Sequence, residues 1–341
     1  MKPDYPMKEI AYQAGVSLAT VDRVLHGRGG VRASTVDRVR AAIGELQRQT
    51  ETALQSGRRF TIDVVMEAPQ RFSGSVQKAF EAEMPAMRPA TFRCRFHLAE
   101  TMEESEICAI LAKIRKRGSH GVVLKAPNSA EITASVGRLT RKGIPVVTLV
   151  TDIPDSGRLA YVGLDNREAG RTAAYFILGF LKGGAGPVLV SLSSTSFFGE
   201  KEREQGFREV LAQSANPIDT VSISEGFGKD RTTGAQVAGL IKRYPDICAI
   251  YSIGGGNRAI ANAFKAAGKG YSVFVGHDLD RDNIDLLRQN RLSLVIHHDL
   301  RQDARSACQL ILRHQRLLPA SFDVAPSTIG IATPFNLPVA V

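Results

Sequence analysis

From Phe60 onward, short apolar segments alternate with amphipathic ones along most of the chain. The apolar segments are TIDVVM, GVVLKAP, IPVVTLV, AYVGLD, PVLVSL, ICAIYSI and YSVFVGH, and an amphipathic stretch at residues 75–84 predicts a helix after the first of them. Alternation of this kind predicts parallel sheets whose strands are joined by crossover helices. Because 341 residues exceed what one small core organises, two or three domains are expected.

Composition excludes several classes of protein. With 43% apolar and 23% charged residues, the chain is too apolar to stay disordered, and no apolar run approaches the roughly 18 to 20 residues of a membrane span. The start, MKPDYPMKEI, lacks the apolar stretch of a secretory signal, so we expect a cytoplasmic protein. Four scattered cysteines without a C-x-x-C pair predict buried free thiols and no metal site, namely Cys94, Cys108, Cys248 and Cys308.

The N-terminal segment predicts three short helices. Four apolar residues recur at helical spacing on the first, namely Met7, Ile10, Ala11 and Ala14. Gly15 is expected to end this helix and Ser17 to cap the second, whose buried side would hold Leu18, Val21 and Leu25. Ser34, with Asp37 three residues later, is expected to cap the third. The order indicates a helix-turn-helix unit of about 40 residues.

A helix-turn-helix places the start of its second helix in the major groove of DNA. By position, Leu18, Ala19 and Arg23 would face base edges, where Arg23 can pair with guanine. Phosphates would be contacted by four polar residues, namely Ser17, Thr20, Arg28 and Arg32. Similar three-helix shapes also occur in bundles that bind no nucleic acid, so the pattern alone leaves both interpretations open.

Positive charge is concentrated in the same segment. The first 59 residues hold ten Lys and Arg against six Asp and Glu, and therefore carry +4 of the formal net charge of +10. Excess positive charge on a small terminal segment indicates a polyanion partner, because neutralising phosphates releases counterions. An ordinary solvated surface is the alternative.

The segment MKEIAYQAGVSLATVDRVLHGRGGVRASTVDRVRAAIGEL resembles the N-terminal domain of LacI-type transcriptional regulators, whose pattern is IxxVAxxAGVSxATVSRVLN and then SxxTxxRVxxAIxxL. The resemblance implies a double-stranded DNA operator as partner. Asp22 departs from the family, which usually has Ser before the base-reading Arg. The linker QRQTETALQSGRR also departs, and in it Leu54 is the candidate for the side chain that wedges into the minor groove.

Ligands of parallel α/β sheets bind at the carboxyl ends of the strands, so the residues after each apolar segment form the candidate effector site. They are Arg71, Phe72, Thr151, Asp152, Arg203, Phe227, Lys229, Gly255, Asn257, Asp278 and His298. Paired polar groups beside an aromatic ring suit a polyhydroxy compound, a sugar or a polyol. Each residue also has a plainer interpretation, such as a salt-bridged arginine or a hydrogen-bonded core histidine. The run Gly254-Gly255-Gly256 lacks the spacing of nucleotide-binding loops, so no cofactor is expected.

Residues 60–338 resemble the periplasmic sugar-binding-protein fold that serves as the effector core of LacI-type regulators. The likeness is carried by GIPVVTLVTDIP, YVGLDNREAGRTAAYFI, EREQGF, YSIGGGNRAIANAF, FVGHDL and LSLVIHHD. It implies two lobes, between which the chain crosses near Asn166, His298 and Ser327.

The same resemblance implies that Arg203 and Asp278 hold ligand hydroxyls and that Phe72 stacks on the ligand. One departure concerns Thr151 and Asp152, because pentose binders carry an Asp-Arg pair after the same strand. A plain pentose or hexose is therefore one possibility among sugar derivatives.

The expected fold class is an N-terminal all-α helix-turn-helix of three helices joined to an α/β, two-lobe periplasmic-binding-protein-like core with parallel sheets. We expect a DNA-binding domain at 1–49, a linker or degenerate hinge at 50–59 and the effector core at 60–341. Within the core, lobe one would cover about 60–165 and 299–327, and lobe two about 166–298 and 328–341.

The expected function is that of a transcriptional regulator, a repressor whose affinity for a palindromic operator is controlled by a sugar or polyol. It would act without catalysis, as a homodimer formed through the effector core. Two alternatives belong to other classes, a solute-binding protein of a transport system and a sugar-modifying enzyme that would use Asp278 with His298.

Overall fold

The computed structural model describes residues 5–55, 59–87, 90–181, 186–214 and 218–338, and for residues 48–55 the backbone alone. Three helices form a head, α1 (Met7–Ala14), α2 (Leu18–Leu25) and α3 (Ala33–Gln55). Their apolar faces meet in a small core, whose fully buried members are Ile10, Val21 and Val39. The helix-turn-helix predicted from residue spacing is confirmed.

The ends of the head helices have identifiable causes. Gly15 ends α1 with a left-handed backbone, φ 62°. Ser17 caps α2, because its Oγ accepts a hydrogen bond from the Thr20 N–H at 3.2 Å. The predicted capping role of Ser34 is wrong: α3 begins at Ala33, and the first backbone bonds of the helix go to the carbonyl of Arg32.

The third helix continues to Gln55, so the boundary predicted after residue 49 falls inside it. The first six residues of the expected linker, 50–55, are therefore helical. The side chain of Leu54 lies outside the described residues, and its expected place in a minor groove stays a prediction.

Lobe one is built on a five-stranded parallel sheet with the order β2-β1-β3-β4-β5. Its strands are β1 (Arg59–Glu67), β2 (Thr91–Ala99), β3 (Gly121–Lys125), β4 (Val146–Leu149) and β5 (Ala160–Val162). Its helices are α4 (Gln70–Glu83), α5 (Glu104–Arg117) and α6 (Ala130–Arg141), with a 3-10 turn at Met84–Ala86. Alternate residues of β1 face opposite sides of the sheet, so that Ile62 and Val64 join one apolar core and Val65 joins the other.

Lobe two is built on a six-stranded sheet with the order β11-β10-β9-β8-β6-β7, parallel except for β11. Its strands are β6 (Val188–Ser191), β7 (Thr220–Ile223), β8 (Ala249–Ser252), β9 (Val273–His277), β10 (Leu294–His297) and β11 (Gly330–Ala332). Its helices are α7 (Asn166–Leu181), α8 (Phe198–Ala212), α9 (Asp230–Arg243), α10 (Asn257–Ala266) and α11 (Arg281–Arg288). Together with lobe one and the head, this sheet confirms the predicted fold class.

The last long helix, α12 (Leu300–His314), returns the chain to lobe one. Its residues Ala304, Ala307 and Ile311 pack in the apolar core of that lobe. The chain thus passes between the sheets before α7, after β10 and before β11, and a cleft forms where these passages bring the two sheets together.

All four cysteines are free thiols, but only Cys308 is buried, whereas Cys94, Cys108 and Cys248 are half-buried. The prediction of four buried thiols is therefore right for one. Within the described ranges, no helix combines the length and the apolar character that crossing a membrane requires.

Candidate ligand-binding cleft and DNA-binding head

A cavity lies between the lobes, at the carboxyl ends of strands from both sheets. The cavity has a volume of about 60 Å³. Seven residues predicted from the sequence line it, namely Arg71, Phe72, Thr151, Arg203, Gly255, Asn257 and Asp278. Strand ends far apart in sequence are thus brought to one place.

The other four predicted residues do not line this cavity. Asp152 accepts hydrogen bonds from Thr148 Oγ1 at 2.7 Å and from Arg158. Burial would raise the pKa of Asp152, but the bonds from Arg158 and Thr148 hold it below its ordinary value. Lys229 reaches across the cleft to Thr101 Oγ1 at 3.4 Å.

Phe227 and His298 are the other two predicted residues that lie outside the cavity. The backbone N–H of Phe227 donates to the Ser193 carbonyl at 2.8 Å, and its ring is half-buried outside the cavity. His298 lies behind the cavity, with its Nε2 3.7 Å from Asp278 Oδ1 and its Nδ1 hydrogen-bonded to Asp303. His298 therefore contacts the cleft through Asp278.

Among the cavity residues that sequence reasoning missed, seven have polar or aromatic side chains, namely Lys125, Ser193, Phe197, Glu200, His277, Asp280 and Asn283. A lysine at the end of the apolar strand GVVLK was one available signal, since a charge in such a run needs a reason. Glu200 precedes Arg203 by three residues on α8 and therefore shares its helix face. The remaining residues are placed only by the tertiary fold.

The buried Lys125 and the half-buried Glu200 bring charge into the cavity from opposite lobes. The ammonium of Lys125 donates to the Glu67 carbonyl at 2.8 Å and lies 3.9 Å from the centre of the Phe197 ring. Burial lowers the pKa of Lys125, although Glu200 and Glu67 oppose this. Burial likewise raises the pKa of Glu200, whose carboxylate accepts from the Ser193 N–H at 2.7 Å.

Arg203 is held in place by a close approach of two helices. Its Nε donates to Asn166 Oδ1 at 2.7 Å, and Asn166 in turn begins α7. A Cβ atom at Gly170 would lie 1.9 Å from the Arg203 carbonyl oxygen, so only glycine lets α7 come this near to α8. The guanidinium is aimed into the cleft by this packing.

Asp278 and His298 form a charged pair at the back of the cleft. Burial would raise the pKa of Asp278, but His298 and Arg203 lower it to about 2. Burial would lower the pKa of His298, but Asp278 and Asp303 raise it to about 9. At neutral pH the imidazolium therefore stands between two carboxylates.

Three non-glycine residues beside the cleft have a left-handed backbone, namely Val150 (φ 68°), Phe227 (φ 51°) and Asp278 (φ 66°). This conformation is costly for a β-branched residue such as Val150. Such strain concentrates at functional sites, where the surrounding structure maintains it.

Unpartnered buried polar atoms also concentrate at the cleft. Within the described part of the chain six buried side-chain atoms have no hydrogen-bond partner, and four of them lie here, namely Asn257 Oδ1, His277 Nδ1, Asp278 Oδ1 and His298 Nε2. Asp278 Oδ1 and His298 Nε2 lie 3.7 Å apart as an ion pair, whereas Asn257 Oδ1 and His277 Nδ1 belong to residues that line the cavity. Because buried polar groups normally have partners, these last two atoms indicate a site that a polar ligand completes.

Contacts between the lobes show that the cleft is closed. Arg71 of lobe one pairs with Asp280 of lobe two, Nε to Oδ2 at 3.1 Å, and donates to the Gly228 carbonyl at 2.9 Å. A Cβ at Gly255 would lie 2.7 Å from this guanidinium, so glycine leaves room for it. Thr151 Oγ1 accepts from the Gly199 N–H at 2.9 Å across the same cleft.

The head presents the start of α2 to solvent. Leu18 is 51% exposed, so its predicted burial is wrong, and Ala19 and Arg23 are exposed beside it. Arg32 is also exposed, whereas Thr20 is half-buried, with its Oγ1 2.9 Å from Ser17 Oγ.

Asp22 has local partners on the same surface. Arg28 Nη1 donates to Asp22 Oδ2 at 2.8 Å, and His26 Nδ1 lies 3.0 Å from Asp22 Oδ1. The acidic residue that replaces the family's usual Ser is therefore paired with neighbouring basic groups. No group of metal-binding side chains occurs among the residues described.

Head and cleft together define a class of protein, a two-lobed α/β ligand-binding core that carries a helix-turn-helix. Residues 6–49 match the family of bacterial regulatory proteins, lacI family, and residues 105–316 match the periplasmic binding protein domain. The chain belongs to the family of periplasmic-binding-protein domains and carries the DNA-binding head of the lacI family. The family and fold predicted from the sequence are confirmed.

Two curated proteins are similar to this chain. An uncharacterized HTH-type transcriptional regulator in the aml 5' region of Streptomyces limosus is 26% identical over 211 residues, which cover 61% of this chain. The ribose import binding protein RbsB of Bacillus subtilis is 26% identical over 187 residues, which cover 53% of this chain. The matched part spans 58% of the length of each relative.

Solved structures share the fold at lower identity. A glucose-galactose binding protein from Geobacillus stearothermophilus superposes with a TM-score of 0.73 at 20% identity, covering 83% of this chain and 100% of that one. A putative LacI transcriptional regulator from Bacteroides fragilis superposes with a TM-score of 0.69 at 15% identity, covering 82% and 98%.

Proposed function

We propose that the protein is a sequence-specific DNA-binding transcriptional regulator, a repressor whose operator affinity is controlled by a small polyhydroxy effector bound between its lobes. The observation that carries the proposal is the presence, in one chain, of an exposed helix-turn-helix surface and a closed, polar cleft with unpartnered buried atoms. The names of the relatives support both parts of the proposal, because one is a transcriptional regulator and the others are sugar-binding proteins.

Within the head, Arg23 reads base edges with Leu18 and Ala19, and the residues assigned to phosphates are Ser17, Thr20, Arg28 and Arg32. Support comes from the exposure of α2 at its start and from the excess positive charge of the segment. Arg28 is already oriented by Asp22, so it meets a phosphate with less conformational freedom to lose.

Within the cleft, Arg203, Asn257 and Asp278 hold ligand hydroxyls, and Phe72 covers the apolar side of the ligand. Arg71 holds the lobes together, since its guanidinium is already bonded to lobe two. His298 orients Asp278 from behind.

Effector binding stabilises the closed arrangement by its differential affinity for it. In a homodimer formed through the cores, closure rotates the two heads relative to one another, so that palindromic half-sites fit or do not fit. A preference of about 100-fold for one arrangement corresponds to roughly 2.7 kcal/mol. The protein acts in the cytoplasm, on genomic DNA.

The test uses one variant in each part of the molecule. Arg23→Ala should abolish specific retardation of operator DNA in gel shifts while the effector-induced rise in melting temperature stays, and Arg40→Ala, an exposed arginine on α3, is the matched control. Asp278→Ala should remove the effector-induced rise and leave retardation in place. If genomic fragments at low ionic strength show no retardation at all, the proposal is wrong.

A second candidate is a solute-binding protein of a transport system, which the likeness to a ribose import binding protein favours. It does not account for residues 6–49, which match the lacI family. We propose that the cleft binds its ligand and does not convert it. Recovering a bound sugar chemically unchanged tests this.

A further inference from the structure

Two buried cations face each other across the cleft. Lys125 ends β3 in lobe one and is 9% exposed, and Arg203 lies on α8 in lobe two and is 4% exposed. Both line the cavity. Among the described residues, no carboxylate oxygen lies within 4.0 Å of a charged nitrogen of either side chain, which is the limit for an ion pair. Burial of an unpaired charge is costly, so a partner is expected.

The carboxylates that line the cavity are each engaged elsewhere. Asp280 pairs with Arg71 at 3.1 Å, and Glu200 accepts from the N–H and the hydroxyl of Ser193. Asp278 faces His298, at 3.7 Å. Glu67, Glu200 and Asp278 act on Lys125 only from beyond ion-pair distance. Arg71 and Asp280 thus form one ion pair and His298 and Asp278 another, whereas Lys125, Arg203 and Glu200 have no ion-pair partner within 4.0 Å among the residues that the structure describes. Two of these three charges are positive, so the cavity keeps an unmatched excess of positive charge.

Both cations also have unused donors. The ammonium of Lys125 has three N–H groups, of which one donates to the Glu67 carbonyl. Arg203 uses its Nε on Asn166, and its two terminal amino groups have no hydrogen-bond partner in the described part of the protein. A guanidinium edge with two parallel donors matches an anionic oxygen pair.

We propose that the effector is a polyhydroxy compound with an anionic oxygen group, which lies between Lys125 and Arg203 and joins the two lobes. This inference rests on the proposed function, since it concerns the same cleft. The hydroxyls of such a compound have hydrogen-bonding partners ready in Asn257 Oδ1 and His277 Nδ1. The anionic group distinguishes it from the neutral sugars that the fold alone suggests.

The experiment measures the melting temperature and the affinity of the full-length protein with matched compounds. The sugar acids to be tested are D-gluconate, D-galactonate, D-glucuronate and D-galacturonate. Their neutral counterparts are D-glucose, D-galactose, D-glucitol and galactitol, and D-glucose 6-phosphate represents the sugar phosphates. At least one anionic compound should raise the melting temperature while its neutral parent does not. The comparison of acids with the phosphate identifies which anionic group is bound.

The matched variants are Lys125→Met, which keeps the length of the side chain, and Lys201→Met, which removes an exposed lysine next to Glu200 on α8. Lys125→Met should weaken binding of the anionic compound roughly 10- to 100-fold. Lys201→Met should leave it within about twofold. A cooperative melting transition without ligand reports that each variant is folded, and if Lys125→Met does not fold, the comparison of each acid with its neutral parent decides.

Two outcomes overturn the inference in different ways. If a neutral sugar binds as well as its acid and Lys125→Met does not change the difference, the cleft binds an uncharged effector and the proposed function stands. If no compound of either charge changes the melting temperature of a protein that retards DNA, the anionic effector and the effector part of the proposed function both fail.

Discussion

His298 offers a direct test of how charge is arranged behind the cleft. Its side chain is 2% exposed, its Nδ1 is hydrogen-bonded to Asp303, and its Nε2 lies 3.7 Å from Asp278 Oδ1. Ser327 donates to the other oxygen of Asp303, so the network ties together two of the passages between the lobes. Replacing the imidazolium by the neutral amide in His298→Gln removes the cation that lies between the buried Asp303 and the half-buried Asp278.

The expected loss of stability follows from the pKa of His298, which the two carboxylates raise from 6.5 to about 9 against the effect of burial. That difference corresponds to roughly 3 kcal/mol of folding free energy. Because the pKa is raised in the folded protein, this contribution is fully present below pH 6.5. It is lost as the pH rises through about 9.

The assay is denaturant unfolding of the natural protein and of His298→Gln between pH 6 and 10. The natural protein should be more stable by roughly 3 kcal/mol near pH 6.5, and the difference should shrink progressively towards pH 10. His314→Gln, an exposed histidine at the end of α12, is the control and should show no such trend. A difference that stays constant across this range refutes the reasoning.

Two further predictions concern packing and closure. Gly170→Ala should destabilise the protein by about 3 kcal/mol, because its Cβ would meet the Arg203 carbonyl at 1.9 Å, whereas Gly179→Ala on the same helix meets nothing and should stabilise by up to about 1 kcal/mol. Equal unfolding midpoints for both variants would contradict this. Arg71→Gln should shift the closure equilibrium by about 2 kcal/mol towards the open form, since Asp280 loses its partner. An unchanged radius of gyration in small-angle scattering of the ligand-free protein would count against it.

Periodicity of apolar residues was sufficient to predict most of the elements. The head helices and seven strands follow from short segments whose burial pattern repeats locally. The predicted strands did not include β2, although Arg93, Arg95 and His97 alternate there with apolar residues, which is the pattern of a strand with one buried face. The predicted strands also did not include β10, which is four residues long. Nor did they include β7 and β11, which are short and lie at the edges of the other sheet, where little burial is needed to form a strand.

The candidate site was predictable only in part, for a related reason. Seven cavity residues were predicted because they follow strands in the sequence, and the carboxyl ends of the strands of a parallel sheet lie at one edge. The same rule included Asp152, which instead pairs with Arg158 in its own loop. Strand position does not say which way a side chain points or which neighbour has already taken its hydrogen bonds.

Local pattern in the chain was enough to specify a three-helix head, parallel α/β sheets and the family, because helix caps, spacing and motifs depend on residues close in sequence. Only the folded chain decided that Lys125 meets Phe197, that Arg71 meets Asp280, and that His298 stands between two carboxylates. These are contacts between distant segments, and their energies depend on burial and distance, which no single stretch of sequence contains.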